Sequence, residues 1–345
     1  MFICSGSFIQ RQKEFQIMKA DLALIRKLIH GAVGIQEENG RIQLSRFTPA
    51  EREVYRENAS YTVRTFAASG MRMEFRTDAR SFAFSGFAVP ASSRVFYYFD
   101  VAVNGVLCHH LGFESCKEQP EFRFEIPLDG GLNDVCVYFP CLTRIELTGM
   151  EFSGGNVIEP VMKKRTMICY GDSITQGYDA HYPSLSYPNQ LADALQAEMF
   201  NKAIGGDRFN PPLAKVGTGT PDLITVAYGT NDWSHCTRDE FMANGSAFFR
   251  NLTSVYPEIP VFAVQPVWRT QCETRVTEAG SFSEMYEMIR TMTASYPQIR
   301  LVNGLKLVPH LPECFSPDIL HPNDFGFQFM GRNLLQEIKA GVTPG

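Results

Sequence analysis

The chain has 345 residues, 44% of them hydrophobic and 20% charged, with a formal net charge of −5. That length can bury a sizeable core in one large or two smaller domains. The acidic balance argues against a nucleic-acid or anionic-membrane surface, which needs clustered Lys and Arg. Nine cysteines, odd in number and without a C-x-x-C pair, indicate neither a zinc ribbon nor a redox dithiol and suit a reducing cytoplasm.

Residues 1–17 carry little pattern, and no basic stretch precedes an apolar one, so no signal peptide is expected. Met18 is a candidate alternative start. No apolar run approaches the roughly 20 residues that span a membrane. The expectation is a cytoplasmic protein.

Apolar residues at 22, 25, 28 and 29 predict a short helix ending near Gly31. Short strand-like runs follow over 61–66, 71–76, 81–88, 95–103, 122–126, 134–139 and 144–152. In Met71–Arg76 the apolar residues alternate onto one face. Asn104-Gly105 is a two-residue hairpin turn. Strands without intervening helices predict an antiparallel β-sandwich, jelly-roll-like, over 36–155 behind a helical segment at 1–35.

The pattern breaks at Ser153-Gly154-Gly155-Asn156, before Pro160. Beyond it, strands at 167–170, 223–228, 261–267 and 299–302 alternate with helices at 187–200, 237–255, 281–295 and 325–340. Thr237…Glu240 and Ser281…Glu284 are capping boxes. Continuously apolar strands between helices predict an α/β domain over 160–345, with a parallel sheet covered on both faces.

Functional residues of such a sheet gather at the carboxyl ends of its strands. The first strand runs into Gly171-Asp172-Ser173-Ile174, where a serine on a strand-to-helix turn presents its hydroxyl beside a helix N-terminus. Taken alone, those residues favour an ordinary turn or N-cap serine. The second ends in Gly229-Thr230-Asn231-Asp232, whose amide suits either an oxyanion donor or an Asx-turn. Between them, Gly205-Gly206 permits close backbone approach or makes a simple turn. Near the end, Asp318 stands three residues before His321, close enough to orient an imidazole that accepts a serine proton.

In this order the four blocks resemble those of the SGNH (GDSL-type) hydrolase family, over roughly residues 165–340. The resemblance implies a flavodoxin-like three-layer α/β/α domain with a shallow active site. It makes Ser173 the nucleophile, His321 the base and Asp318 its orienting partner. The Ser173 and Gly206 N–H groups and the Asn231 amide become the oxyanion donors. A sandwich ahead of such a domain looks like carbohydrate acetyl esterases of this family, including carbohydrate esterase family 2.

The function expected is a serine esterase that removes short acyl groups, acetyl foremost, from a carbohydrate or related alcohol. Acyltransferase, lipase or thioesterase action on the same residues, and carbohydrate binding without catalysis, are the alternatives. Asp172, Phe209, Trp233 and Trp268 are candidate substrate contacts, the aromatic ones as a platform for a sugar ring. No metal or organic cofactor is implied. The partner expected is a small or oligosaccharide ester, and homo-oligomerisation is left open.

Overall fold

In the first half of the chain, strands such as Arg41–Ser45 and Glu121–Pro127 set their buried residues between more exposed ones, and two antiparallel sheets share one core. The computed structural model describes residues 16–342; Cys4 and the start of the 1–35 segment lie outside them. One sheet runs Gly34–Glu38, Arg41–Ser45, Thr143–Ser153, Ser81–Pro90, Glu121–Pro127, with Ile17–Lys19 added along Thr143–Ser153. The other runs Ile158–Pro160, Arg72–Thr77, Asn133–Tyr138, Tyr97–Val103, Val106–Phe113.

Phe75, Phe82, Phe84, Phe99, Phe122 and Phe152 interlock between the sheets, with ring centroids 5.0–6.3 Å apart. Each buried ring contributes about 1.5–3 kcal/mol relative to exposure. Asn104 and Gly105 take φ of +52° and +78°, the left-handed pair that a two-residue hairpin requires.

Three local expectations change. The helix at Leu22–Leu28 stops earlier than Gly31, because Ile29–His30 becomes extended and pairs with Arg72 and Met73. Residues expected as a strand at 61–66 fall instead mainly in a helix, Ala59–Arg64, whose Asn58 side chain caps the Tyr61 N–H. The sandwich also extends past residue 155, since Ile158–Pro160 pairs with Phe75–Thr77.

The second half holds a five-stranded parallel sheet: β1 Arg165–Gly171, β2 Ala197–Asn201, β3 Leu223–Ala227, β4 Val261–Val264 and β5 Ile299–Val302. Their order is β2-β1-β3-β4-β5. This is the flavodoxin-like order, and its switch point falls between the carboxyl ends of β1 and its neighbours. Both faces of the central strands β1, β3 and β4 are buried, as their apolar runs require. Ile168, Tyr170, Ile224 and Val226 pack under helices Arg238–Val255 and Phe282–Thr293. Met167, Cys169, Phe262 and Val264 pack under Tyr187–Leu195 and Asp324–Val342. Both expected capping boxes form. The helix expected over 187–200 ends at Leu195, where Gln196 turns left-handed at φ +51°, and the chain returns as edge strand β2.

Candidate active site

β1 ends in a tight strand-to-helix turn. A Cβ on Gly171 would meet the Thr175 hydroxyl at 2.1 Å, so the strand can pass beneath the turn only as glycine. Asp172 caps the helix Ser173–Gln176 by accepting the Ile174 N–H at 3.0 Å, and Gly177, at φ +95°, closes it. Ser173 therefore stands at the first position of a helix, 6% exposed, at the switch point of the sheet.

His321 arrives from the loop before the last helix. A bridge between Phe315 and Pro322 and the Ser316 N–H on the His321 carbonyl (2.8 Å) shape this loop. The Thr270 N–H on the Ile319 carbonyl, also 2.8 Å, ties it to the chain leaving β4. One imidazole nitrogen, Nε2, is 2.8 Å from Ser173 Oγ, and the other, Nδ1, is 2.6 Å from Asp318 Oδ2. Asp318 Oδ1 accepts the backbone N–H groups of Leu320 and His321 at 2.9 and 3.1 Å. Burial pushes the Asp318 carboxyl up, but the His321 ring and these N–H groups together hold it well below the usual carboxylate range.

The strands on either side of β1 supply the remaining blocks. After β2, the Ile204 N–H bonds the Gly171 carbonyl at 3.2 Å, drawing Gly205-Gly206 against the serine turn. The Gly205 N–H is committed to Gln176 Oε1 at 2.6 Å. No acceptor takes the Gly206 N–H among the described residues. After β3, Gly229 at φ +121° opens a short helix, and Asn231 donates one amide hydrogen to the Asp207 carbonyl at 3.0 Å. The arrangement offers a hydroxyl beside an oriented base, with the glycine and asparagine blocks following the two strands that flank β1. That is equipment for nucleophilic attack on a carbonyl.

Three expected substrate contacts are not exposed. Asp172 is 2% exposed, spends its carboxylate on the cap, and burial lifts it to about 6. Phe209 is packed among Tyr228, Phe241, Phe248 and Phe249. Trp233 is wholly buried, its indole N–H on the Gly280 carbonyl at 2.9 Å and its ring edge-on to Phe282. These two rings build the core and present no platform. Trp268 differs: partly buried, stacked on His310 at 5.6 Å, it lines a pocket of about 490 Å³ with Tyr286 and Arg275.

Residues ahead of the α/β half reach the site without any sequence signal. Tyr61 Oη donates to the Gly206 carbonyl at 2.6 Å, and Arg64 donates to that of Gly205. Tyr55 Oη donates to Asp207 Oδ2 at 2.7 Å. Neither periodicity nor spacing marks these positions.

Residues 169–329 match the model of the GDSL-like Lipase/Acylhydrolase family. Among solved structures, the chain is similar to the salicylyl-acyltransferase SsfX3 from a tetracycline biosynthetic pathway. There the TM-score is 0.81 at 21% identity, covering 97% of this chain and 99% of the other. A family two carbohydrate esterase from Clostridium thermocellum, in complex with cellohexaose, gives a TM-score of 0.62 at 17% identity, over 80% and 94%. The acetyl xylan esterase Est2A from Butyrivibrio proteoclasticus gives 0.61 at 13%, over 95% and 99%. Among curated proteins no relative is detected by sequence. No helix among the described residues is long and apolar enough to cross a membrane.

Proposed function

We propose that the GDSL-like lipase/acylhydrolase domain formed by residues 169–329 works as a serine esterase on short acyl esters of a carbohydrate or related alcohol. The observation that carries this reading is the continuous chain Ser173 Oγ, His321, Asp318, with both contacts under 3 Å.

In this reading Ser173 Oγ attacks the ester carbonyl while His321 Nε2 takes its proton. The oxyanion forms against the Ser173 and Gly206 N–H groups and the free hydrogen of the Asn231 amide. The imidazolium then protonates the departing alkoxide, leaving an acyl-serine. Water, deprotonated by the same nitrogen, attacks that ester and releases the acid. Asp318 stays ionised throughout and keeps the Nδ1 proton in place.

The preference for a small acyl group draws on the likeness to carbohydrate esterases, among them an acetyl xylan esterase. Transfer of the acyl group to an alcohol other than water is the second reading. It is favoured by the likeness, in both halves of the chain, to an acyltransferase.

A panel of acyl-chain lengths and sugar acetates, run on wild type beside Ser173→Ala, tests the proposal. Acetyl esters should turn over fastest and only with Ser173 present; equal activity of the two proteins would sink it. Adding an alcohol acceptor and identifying products separates transfer from hydrolysis.

A further inference from the structure

His321 Nδ1 faces two carboxylates, not one. Asp318 Oδ2 is 2.6 Å away, and Asp179 Oδ2 is 3.9 Å away. A ring nitrogen of His321 and one carboxylate oxygen from each of Asp179 and Asp318 all lie within 4.8 Å of one another. Two carboxylates around one N–H compete for it, and a second negative charge favours the imidazolium. A base that must begin neutral is harmed by both effects.

The sandwich answers that second charge. Arg94, in the loop before Tyr97–Val103, grips Asp179 with both arms of its guanidinium, Nε to Oδ1 at 2.7 Å and Nη2 to Oδ2 at 3.1 Å. A two-pronged grip of this kind fixes direction as well as charge.

The segment bearing Asp179 is itself docked on the sandwich. Phe96 stacks on His181 at 4.3 Å, and His110 stacks on Tyr182 at 3.9 Å. Buried Asp100 accepts the Ser184 N–H at 2.9 Å while its other oxygen meets His110 Nδ1 at 2.7 Å. Asp179 itself holds a left-handed φ of +62°, a conformation that an aspartate keeps when its surroundings hold it.

We propose that Arg94 is a positioning residue of the active site. By binding Asp179 it keeps the His321 Nδ1–H directed at Asp318 and offsets the second negative charge beside the ring. The sandwich thereby becomes part of the catalytic apparatus. The inference rests on the esterase reading for its catalytic meaning, though not for the coupling itself.

The groups facing His321 come from every side. Asp318 lies on its own turn, and Asp179 and the Tyr178 ring, 5.4 Å away, on the docked segment. Ser173 and Asp172 come from the serine turn, and the charge of Arg269, from the chain leaving β4, acts on Asp318 and Asp172. Of these, Arg94 and Asp179 form the pair whose removal is separable from the hydrogen-bonded chain.

The test follows two readouts in the full-length protein: the pH dependence of kcat/KM on 4-nitrophenyl acetate, and the NMR titration of the His321 ring. Arg94→Gln should move the acid limb and the ring titration to higher pH by about one unit. Asp179→Asn should move both to lower pH, because Arg94 is left without its counter-charge. The double variant should return both close to wild type. A uniform loss of rate with both titrations unmoved in Arg94→Gln and Asp179→Asn overturns the proposal. Should Arg94→Gln not fold, the isosteric Asp179→Asn decides alone. If no protein hydrolyses the ester while the ring titration still moves, the esterase reading fails and the Arg94 coupling stands.

Discussion

The side-chain amide of Asn231 hangs from the main-chain carbonyl of Asp207, 3.0 Å away. An amide carries two N–H donors, so fixing one fixes the direction of the other at no cost during reaction. Asn231→Ala should therefore lower kcat about 100- to 1000-fold, with little change in melting temperature. Asn231→Asp, of the same shape, puts negative charge where the oxyanion would form and should be at least as damaging. Steady-state kinetics and a thermal melt on each variant check this. Near-wild-type kcat in Asn231→Ala would remove the residue from the oxyanion site.

Asp318 divides its work between its two oxygens: Oδ1 takes two backbone N–H groups, and Oδ2 takes the imidazole. Asp318→Asn can keep the loop bonds through its carbonyl oxygen, but it offers an N–H to Nδ1 and favours the wrong tautomer. A fall in kcat of about 10²- to 10⁴-fold is expected, with the melting temperature nearly unchanged. Labelling by a fluorophosphonate should slow in Asp318→Asn and vanish in Ser173→Ala. Unchanged turnover in Asp318→Asn would leave a Ser–His pair as the working unit.

How much of this was legible in the sequence depends on the range over which each feature is encoded. The parallel strands were legible because both faces are apolar, and the capping boxes because they are local bonds three residues apart. Ser173 and Asn231 stood out because each sits in a short block at a strand end, and Asp318 and His321 because they stand three residues apart just before the last helix. Edge strand β2 was missed: Ala197–Asn201 continues an apolar helical pattern, and only the left-handed turn at Gln196 breaks it. Trp233 was misread because adjacency to Asn231 in sequence says nothing about direction; the next positions of a helix point elsewhere, here into the core. Tyr55, Tyr61, Arg64 and Arg94 lie 79 to 118 residues before Ser173 in the chain and reach the site only through tertiary packing. No local pattern encodes a partnership at that separation.

Beneath the site, Asp207 and Asp232 are buried carboxyls lifted to about 7, in each case by burial working against hydrogen bonds that lower them. A carboxyl whose folded value lies above its unfolded one binds more protons when folded, so its contribution to stability is lost as pH rises. From these groups the melting temperature should fall between about pH 4 and pH 8, most steeply near pH 5.5, where the folded carboxyls still hold their protons and the unfolded ones have lost them. Asp207→Asn keeps an acceptor for Tyr55 and removes the ionisation, and should flatten that fall. Thermal melts across the range check it, and equal slopes in the two proteins would exclude Asp207 as a source.

Arg46 is fully buried where the sandwich meets the α/β half, and burial pulls its guanidinium down to about 9. It donates to four main-chain carbonyls: Ala67 at 2.8 Å, Asn201 at 2.7 Å, Ala203 at 2.8 Å and Arg64 at 2.9 Å. Two of these belong to the end of β2 and the chain that leads to Gly205-Gly206. Arg46→Met fills similar volume but strands all four acceptors, at about 1 kcal/mol or more each and so about 4 kcal/mol in all. In a chain of this size that corresponds to a fall of roughly 5–10 °C in melting temperature. Lysine, a point charge on a flexible stem, cannot span the four carbonyls, so Arg46→Lys should fall between the two. Because the stranded carbonyls flank the glycine loop, kcat should also drop well below the melting transition. A variant that melts with wild type would mean that these carbonyls find other donors, and that the interface does not depend on Arg46.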